Sequence, residues 1–201
     1  MNNIKSLFTM LLLTAATMLA AQVDKSVVVT PVKGKQAINV YVDLGGEMPY
    51  TVSLRNDQGE KIWSEQWKKP VYAKSVLMDK LPEGEYAISV EGNNRYMERD
   101  FTLGAEMASV NKGQRTILGP TVSVMGRSVL VDFDVNRGEP VNHRDVDVQI
   151  YDEQRDEVFA NSITTDHGRI TRYDMSSLPS GEYDMVFNIE GKTFTRSVRM
   201  R

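Results

Sequence analysis

The sequence predicts an all-β fold built from two tandem antiparallel β-sandwiches. Two observations carry this prediction. Short segments alternate strictly between apolar and polar residues, which is the pattern of strands with one face toward a core. The same arrangement of strands and turns also occurs twice within the 201 residues, and no amphipathic helix of three turns separates the strands.

Residues 1–21 have the three-part form of a secretory signal peptide. Lys5 precedes the apolar run Leu7–Leu13, and the small residues Ala20 and Ala21 close the segment. The run is too short to span a bilayer as a helix. We therefore expect cleavage after Ala20 or Ala21 and export to the periplasm, the cell surface or the extracellular medium. The alternative is a buried N-terminal helix. No second long apolar run follows, so we expect no transmembrane segment in the mature chain.

The rest of the chain contains two copies of one repeated unit. Residues 81–86, LPEGEY, match residues 178–183, LPSGEY, 97 positions later. The strand patterns that precede these segments match at offsets of 96 and 91, which places about five additional residues in the second copy around 141–145. Agreement over this many strand positions indicates two copies of one domain.

Within each copy, alternating segments predict strands and turn-forming residues separate them. Apolar residues alternate with more polar ones over 38–44 in the first copy and over 183–189 in the second. Segments rich in Asn, Asp, Pro and Gly predict the intervening turns. These segments are 56–59, 81–84, 92–94, 136–138 and 190–192.

The two copies define the domain organisation. We place the first sandwich at 24–104 and the second at 119–201, each with six or seven strands. Residues 105–118 contain Gly113 and few bulky side chains, which is typical of a connection. A second option is that part of this connection forms the first strand of the second domain.

Tyr86 and Tyr183 occupy the same place in the two copies, directly after the turn-forming Pro and Gly. A tyrosine at this point is similar to the tyrosine corner of immunoglobulin-like domains, in which the hydroxyl bonds to nearby backbone. We prefer this structural role to a ligand-contacting one.

Two longer segments extend this likeness. NDQGEKIW at 56–63, followed by LPEGEYAISVEGNNRYMERDFTL at 81–103, resembles a family of short secreted immunoglobulin-like domains of unknown function from Gram-negative anaerobes. The second copy, from LPSGEY to the terminal residues at 178–201, is similar to the C-terminal sorting domains of type IX secretion cargo. The resemblance implies two immunoglobulin-like sandwiches in an exported protein, and it implies no catalytic residues.

The composition excludes several kinds of site. The chain has no cysteine, two histidines and a formal net charge of −3. Without cysteine it cannot form disulfides, a thiol nucleophile, or cysteine-ligated zinc or iron–sulfur sites. Its mild acidic balance is not the electrostatic signature of a nucleic-acid-binding protein. We therefore expect no cofactor, no resident metal and no nucleic-acid partner.

Two polar stretches of the second copy could carry chemistry, and each has a structural alternative. Residues 132–138, DFDVNRG, resemble a calcium loop, but Arg137 and His143 occupy the positions of its glycine and last carboxylate. The same residues fit a strand. His143 and the pair Asp166-His167 could supply a base and its carboxylate, but no serine on a G-x-S-x-G turn accompanies them. We interpret both histidines as surface-loop residues, and we expect the protein not to be an enzyme.

Trp63 and Trp67 are the candidate ligand contacts. Four residues apart on an extended strand, they face the same side and could form an aromatic platform for a sugar ring. Their counterparts in the second copy are Phe159 and Ile163. Because an aliphatic residue at one of these positions favours packing, we prefer core positions and keep the glycan platform as the alternative.

Arg99 and Arg196 fall in the apolar register of the last strand of their copies. An inward-directed charge on an edge strand discourages aggregation between sheets. We favour this interpretation over an anion-binding site.

These observations predict a non-enzymatic exported protein that acts as an interaction or structural module at the cell envelope. Its partner would be an envelope protein or a glycan. The alternatives are a carbohydrate-binding accessory protein that uses Trp63 and Trp67, and secretion-system cargo addressed by its second domain.

Overall fold

The structure is a computed structural model, and it describes residues 26–111, 113–133, 144–165 and 170–201. The predicted signal peptide at 1–21, His143 and the pair Asp166-His167 lie outside the described residues. So does most of the candidate calcium loop. The described residues form strands and turns without a helix, and so without any helix that could cross a membrane.

The first sandwich consists of two antiparallel sheets. One sheet has the strand order β1-β2-β5, and the other has the order β4-β3-β6-β7 with two short strands, β8 and β9, paired to β7. The strands are β1 (Ser26–Pro31), β2 (Ala37–Asp43), β3 (Tyr50–Asn56), β4 (Lys61–Trp67), β5 (Val71–Leu77), β6 (Gly84–Glu91), β7 (Arg95–Leu103), β8 (Ala108–Val110) and β9 (Arg115–Leu118).

The second sandwich repeats this arrangement. Its sheets have the orders β10-β11-β14 and β13-β12-β15-β16, and all pairs are antiparallel. The strands are β10 (Thr121–Met125), β11 (Ser128–Asp132), β12 (Arg144–Tyr151), β13 (Glu157–Thr165), β14 (Ile170–Asp174), β15 (Gly181–Ile189) and β16 (Lys192–Met200).

The shared strand order confirms the predicted fold class of two tandem immunoglobulin-like β-sandwiches. In each copy the first, second and fifth strands form one sheet, and the fourth, third, sixth and seventh form the other. Two sheets joined in this way by Greek-key connections make an immunoglobulin-like sandwich.

Local detail repeats as well. The turn after β3 is closed by Asn56, whose Oδ1 accepts from the backbone of Gln58 and Glu60, and Asp152 accepts from the equivalent positions after β12. Both third strands also carry a register shift next to this turn, at Leu54/Arg55 and Ile150/Tyr151.

Alternation places one core in each sandwich. In β2 the residues Ile38, Val40 and Val42 are buried, whereas Asn39 and Tyr41 between them are exposed. In β15 every second residue from Tyr183 to Ile189 is buried. Each core therefore comes from the facing sides of two sheets, as the period of two requires.

The connection between the sandwiches contains two short strands. Within 105–118, strand β8 pairs with Phe101–Leu103 and strand β9 pairs with Arg95–Glu98 of β7. The backbone groups of these two short strands therefore complete the sheet of the first sandwich. The chain runs back along β7 and enters the second sandwich beside the β6–β7 turn at 92–94.

Candidate functional site

Trp63 and Trp67 lie half-buried against the first core from strand β4, at the edge of its sheet. The Nε1 of Trp67 donates to the carbonyl oxygen of Val71 at 2.7 Å, and its ring meets Tyr72 edge-on with centroids 4.9 Å apart. The polar atom of this indole is therefore engaged within the protein.

Lysines lie over both indole rings. The Nζ of Lys74 is 5.2 Å from the ring centroid of Trp63, and that of Lys69 is 5.8 Å from Trp67. Lys74 also pairs with Glu65 at 2.7 Å. Cation–π contacts at exposed sites contribute about 0.5–1 kcal/mol. A sugar ring would have to displace these lysines before it could stack on the tryptophans.

Tyr86 and Tyr183 form two tyrosine corners, as predicted. The hydroxyl of Tyr86 donates to the carbonyl oxygen of Pro82 at 2.8 Å, and that of Tyr183 donates to Pro179 at 2.9 Å. Both rings are buried. The hydroxyls thus fix the turn before the sixth strand of each sandwich.

The polar site that the sequence did not reveal is the junction between the two sandwiches, and Arg196 of β16 lies at its centre. Its Nε donates to the carbonyl oxygen of Pro120 at 2.9 Å, and its Nη1 donates to that of Asn93 at 2.9 Å. Its Nη2 also donates to Oδ1 of Asn94. One guanidinium therefore joins β16, the entry to the second sandwich and the β6–β7 turn of the first.

Arg196 is partly buried and packs closely against Gly119. Burial lowers the pKa of the guanidinium, and Glu47 acts in the opposite direction. Gly119 donates its backbone N–H to the carbonyl oxygen of Asn94 at 2.9 Å. A Cβ at Gly119 would lie 2.6 Å from Cδ1 of Phe194 and 2.7 Å from Nη2 of Arg196. Only glycine fits this close approach.

Glu47 supports the junction from the first sandwich. Its Oε2 accepts from Nε of Arg95 at 2.8 Å, and its Oε1 accepts from the backbone N–H of Asn94 at 2.7 Å. Both side chains of the pair are largely buried. A buried ion pair with additional hydrogen bonds fixes geometry, and removal of one partner leaves an uncompensated charge.

The β15–β16 turn lies along the outer face of the first sandwich. The Nζ of Lys192 lies 3.7 Å from the ring centroid of Tyr96. The Oε2 of Glu190 pairs with Nη2 of Arg115 on β9 at 3.2 Å. Burial lowers the pKa of Lys192, and the neighbouring Arg55 lowers it further, whereas Glu91 and Glu98 raise it. This contact brings charged groups of both signs together between the domains.

Apolar burial reinforces these polar contacts. Tyr96 and Ile117 belong to β7 and β9 of the first sandwich, but they pack in the same cluster as the core of the second. They are 2% and 0% exposed. Full burial of such side chains contributes about 1.5–3 kcal/mol each. The two sandwiches therefore share a packed and hydrogen-bonded interface.

The structure corrects the interpretation of Arg99 and changes that of Arg196. Strand β7 is not an edge strand, because β8 and β9 pair with it. Arg99 therefore does not protect an edge, and its Nε is buried with no hydrogen-bond partner in the described part of the chain. Arg196 does lie on an edge strand, but two of its hydrogen bonds, to Asn93 and Asn94, cross to the other sandwich.

An open groove of about 790 Å³ lies at this junction. Gly92 and Asn93 line one side, and Thr193, Thr195 and Arg196 line the other. The Arg196 guanidinium nitrogens already donate to protein oxygens. Among the described residues no group of three His, Cys, Asp or Glu side chains could hold a metal ion.

No family model matches the chain, and no curated protein matches it. Solved structures give distant likenesses. One is "Biofilm associated protein - BSP domain", with 13% identity and a TM-score of 0.29, covering 86% of this chain and 29% of that one. The FN1-FN3 domains of chicken CNTN1 are similar with 12% identity and a TM-score of 0.30, covering 87% of this chain and 63% of that one.

A two fibronectin type-III domain segment from chicken tenascin gives 14% identity and a TM-score of 0.31, covering 88% of this chain and 98% of that one. This chain thus spans less than a third of the length of the biofilm-associated structure. At these identities and TM-scores the likenesses carry no argument about function. The fold assignment rests on the strand order.

Proposed function

We propose that this chain is a non-enzymatic, exported interaction or structural module of the cell envelope. The observation that carries the proposal is the junction, where Arg196 and strand β9 hold two sandwiches in one fixed arrangement. A rigid two-domain body presents surfaces of both sandwiches to a partner at a constant spacing and angle, which lowers the entropy lost on binding. The signal-peptide-like residues 1–21 support export.

Two linked measurements test this function. Fractionation of cells that make the tagged full-length protein should find it outside the cytoplasm, and deletion of residues 1–21 should retain it inside. Site-specific photo-crosslinking from exposed positions on both sandwiches should then trap one recurrent envelope partner. Protein that stays in the cytoplasm with its N-terminal segment intact would contradict the proposal, as would substrate turnover by the purified chain.

Arg196→Met separates a rigid module from two independent ones. Methionine retains much of the apolar stem but removes the hydrogen bonds of Arg196 to Asn93 and Asn94, so the angle between the sandwiches should become more variable. A partner that contacts both sandwiches should crosslink less to this variant. Arg199→Met is the matched control, because Arg199 is an exposed residue of the same strand.

Carbohydrate binding through Trp63 and Trp67 is the second candidate, since both indoles remain partly exposed on one side of β4. Glycan-array binding that is lost in Trp63→Ala, and retained in the exposed neighbour variant Ile62→Ala, would favour it over the module. The third candidate, secretion cargo addressed by the second sandwich, predicts passage of the folded protein beyond the outer membrane.

A further inference from the structure

Among the described residues, no strand pairs with the outer side of strand β13, which therefore forms an open edge of the second sandwich. It is the outermost strand in the order β13-β12-β15-β16, at the opposite side of the sheet from β16, which contacts the first sandwich. Its sequence, EVFANSITT, carries a single charge at Glu157 and no proline. Val158 and Phe159 are each 37% exposed. An edge of this kind offers unpaired backbone groups to another strand.

The first sandwich protects its equivalent edge with charges. On β4, Glu65 lies opposite Val52 and pairs at 2.7 Å with Lys74, which lies opposite Val40 on the other sheet. Lys74 also covers the ring of Trp63. A charged pair at the open side of a sandwich opposes the approach of a second sheet, because its desolvation is costly.

The second sandwich has neutral residues in place of this pair. By strand register, the counterpart of Glu65 is Asn161, opposite Val148, and the counterpart of Lys74 is Thr171, opposite Val131. Both replacements are neutral. The Oγ1 of Thr171 is buried and has no hydrogen-bond partner among the residues that the structure describes. Two copies of one domain therefore differ at the feature that keeps an edge strand from pairing.

We propose that β13 pairs antiparallel with β13 of a second copy of this chain, with the two-fold axis at Asn161. This register places Phe159 opposite the partner's Ile163 and Ala160 opposite the partner's Ser162. The two Asn161 amides face each other, and each can donate to and accept from the other. The single charge, Glu157, faces the partner's Thr165, so no like charges meet.

The symmetry of this contact limits the assembly to a dimer. Both copies use the same edge, so pairing consumes it and a continuous eight-stranded sheet results, with four strands from each copy. The apolar surface of Phe159 and Ile163 becomes buried across the contact. The dimer does not depend on the proposed envelope function, because it forms from the purified chain alone.

Sedimentation velocity of the purified chain should show a concentration-dependent dimer that Asn161→Glu abolishes. The substitution restores the carboxylate of the first sandwich and places two like charges at the axis. Asn161 is exposed, so the variant should retain the circular dichroism of the parent. Ser123→Glu, an exposed position away from β13, adds the same charge and should leave the dimer intact.

The absence of cysteine makes the register testable. Residues directly opposite in an antiparallel pair have Cα atoms about 4.5–5.5 Å apart, a separation that a disulfide can bridge. Asn161→Cys should therefore crosslink to a covalent dimer under mild oxidation, and Ser64→Cys on the charged edge should not. A parent chain that remains monomeric at millimolar concentration overturns the proposal. A dimer that survives Asn161→Glu, or equal crosslinking of the two cysteine variants, also overturns it.

Discussion

Single hydroxyl groups stabilise the turn before the sixth strand of each sandwich. Tyr86 and Tyr183 donate to Pro82 and Pro179, four residues earlier, from rings that pack in the cores. Pro82 and Pro179 are exposed, but the two hydrogen bonds are partly buried, so water does not fully replace them. Each tyrosine corner is thus a local hydrogen bond that contributes to the free energy of unfolding of the whole protein.

Tyr86→Phe and Tyr183→Phe should each lower the free energy of unfolding by about 0.5–1.5 kcal/mol, the net value of one hydrogen bond. Tyr41→Phe is the control, since Tyr41 is 41% exposed. Urea unfolding followed by circular dichroism measures the change. Losses no larger than that of Tyr41→Phe would show that the two hydrogen bonds add nothing.

Tyr50 gives the protein a predictable alkaline limit. Burial first, and then the charge of Asp43, together raise its pKa from 10.0 to about 12, and its hydroxyl has no hydrogen-bond partner among the described residues. Folding therefore favours the neutral phenol. This contribution is fully present below pH 10, the unfolded value, and is lost as the pH rises from 10 to 12 because the unfolded chain ionises first.

A pH series of urea unfolding should show stability falling across this window, and Tyr50→Phe should reduce the fall. Ultraviolet titration should show fewer tyrosines ionising near pH 10 in the folded chain than in urea. An unchanged pH dependence in Tyr50→Phe would contradict this assignment.

At the scale of elements, β8 and β9 carry the chain back along β7 and set where the second sandwich begins. Gly119, directly after β9, allows Phe194 and Arg196 to approach its backbone. The interface depends on this passage because any side chain at Gly119 would occupy space already filled by the aromatic ring and the guanidinium.

Gly119→Ala should therefore destabilise the protein by about 1–3 kcal/mol, the usual cost of overpacking. Gly113→Ala is the matched control in the same connection, since a Cβ there would meet no atom within 4 Å. Thermal unfolding by calorimetry compares the two variants. Equal melting temperatures would show that the junction accommodates the added methyl group without a loss of stability.

The strands of the two sandwiches could be predicted from the sequence, but β8 and β9 could not. Alternation in segments such as 38–44 has a single physical meaning, a strand with one buried face. Ala108–Val110 and Arg115–Leu118 are too short to show a period, and their pairing with β7 is decided by contacts distant in sequence. Residues 105–118 therefore had only the composition of a connection.

The same limit applied to the junction. The unusual register of Arg196 was visible in the sequence, but its partners Asn93 and Asn94 are about a hundred positions away. Which surface an inward arginine meets depends on how the two sandwiches are placed. Trp63 and Trp67 could be selected from the sequence, because residue type alone marks a tryptophan as a candidate for stacking or for packing.

At the scale of the whole molecule, the reversal of the connection brings the β6–β7 turn of the first sandwich next to β16 of the second. Polar contacts at Arg196, the Glu190–Arg115 pair and the shared burial of Ile117 act on the same interface. The two domains should therefore move as one body. The proposed module requires this rigidity, because it depends on a constant arrangement of the surfaces of both sandwiches.

Spin labels at Asn93→Cys and Thr195→Cys test this claim most directly in a chain without other cysteines. The backbone oxygens of these residues accept from the same Arg196 nitrogen, at 2.9 and 2.8 Å, so the two labels lie on either side of one guanidinium. Dilution with unlabelled protein removes distances between chains. Pulsed electron spin resonance should then give one short, narrow distance distribution. A broad distribution would contradict a rigid junction. A distribution centred at a distance comparable to the length of one sandwich would also contradict it.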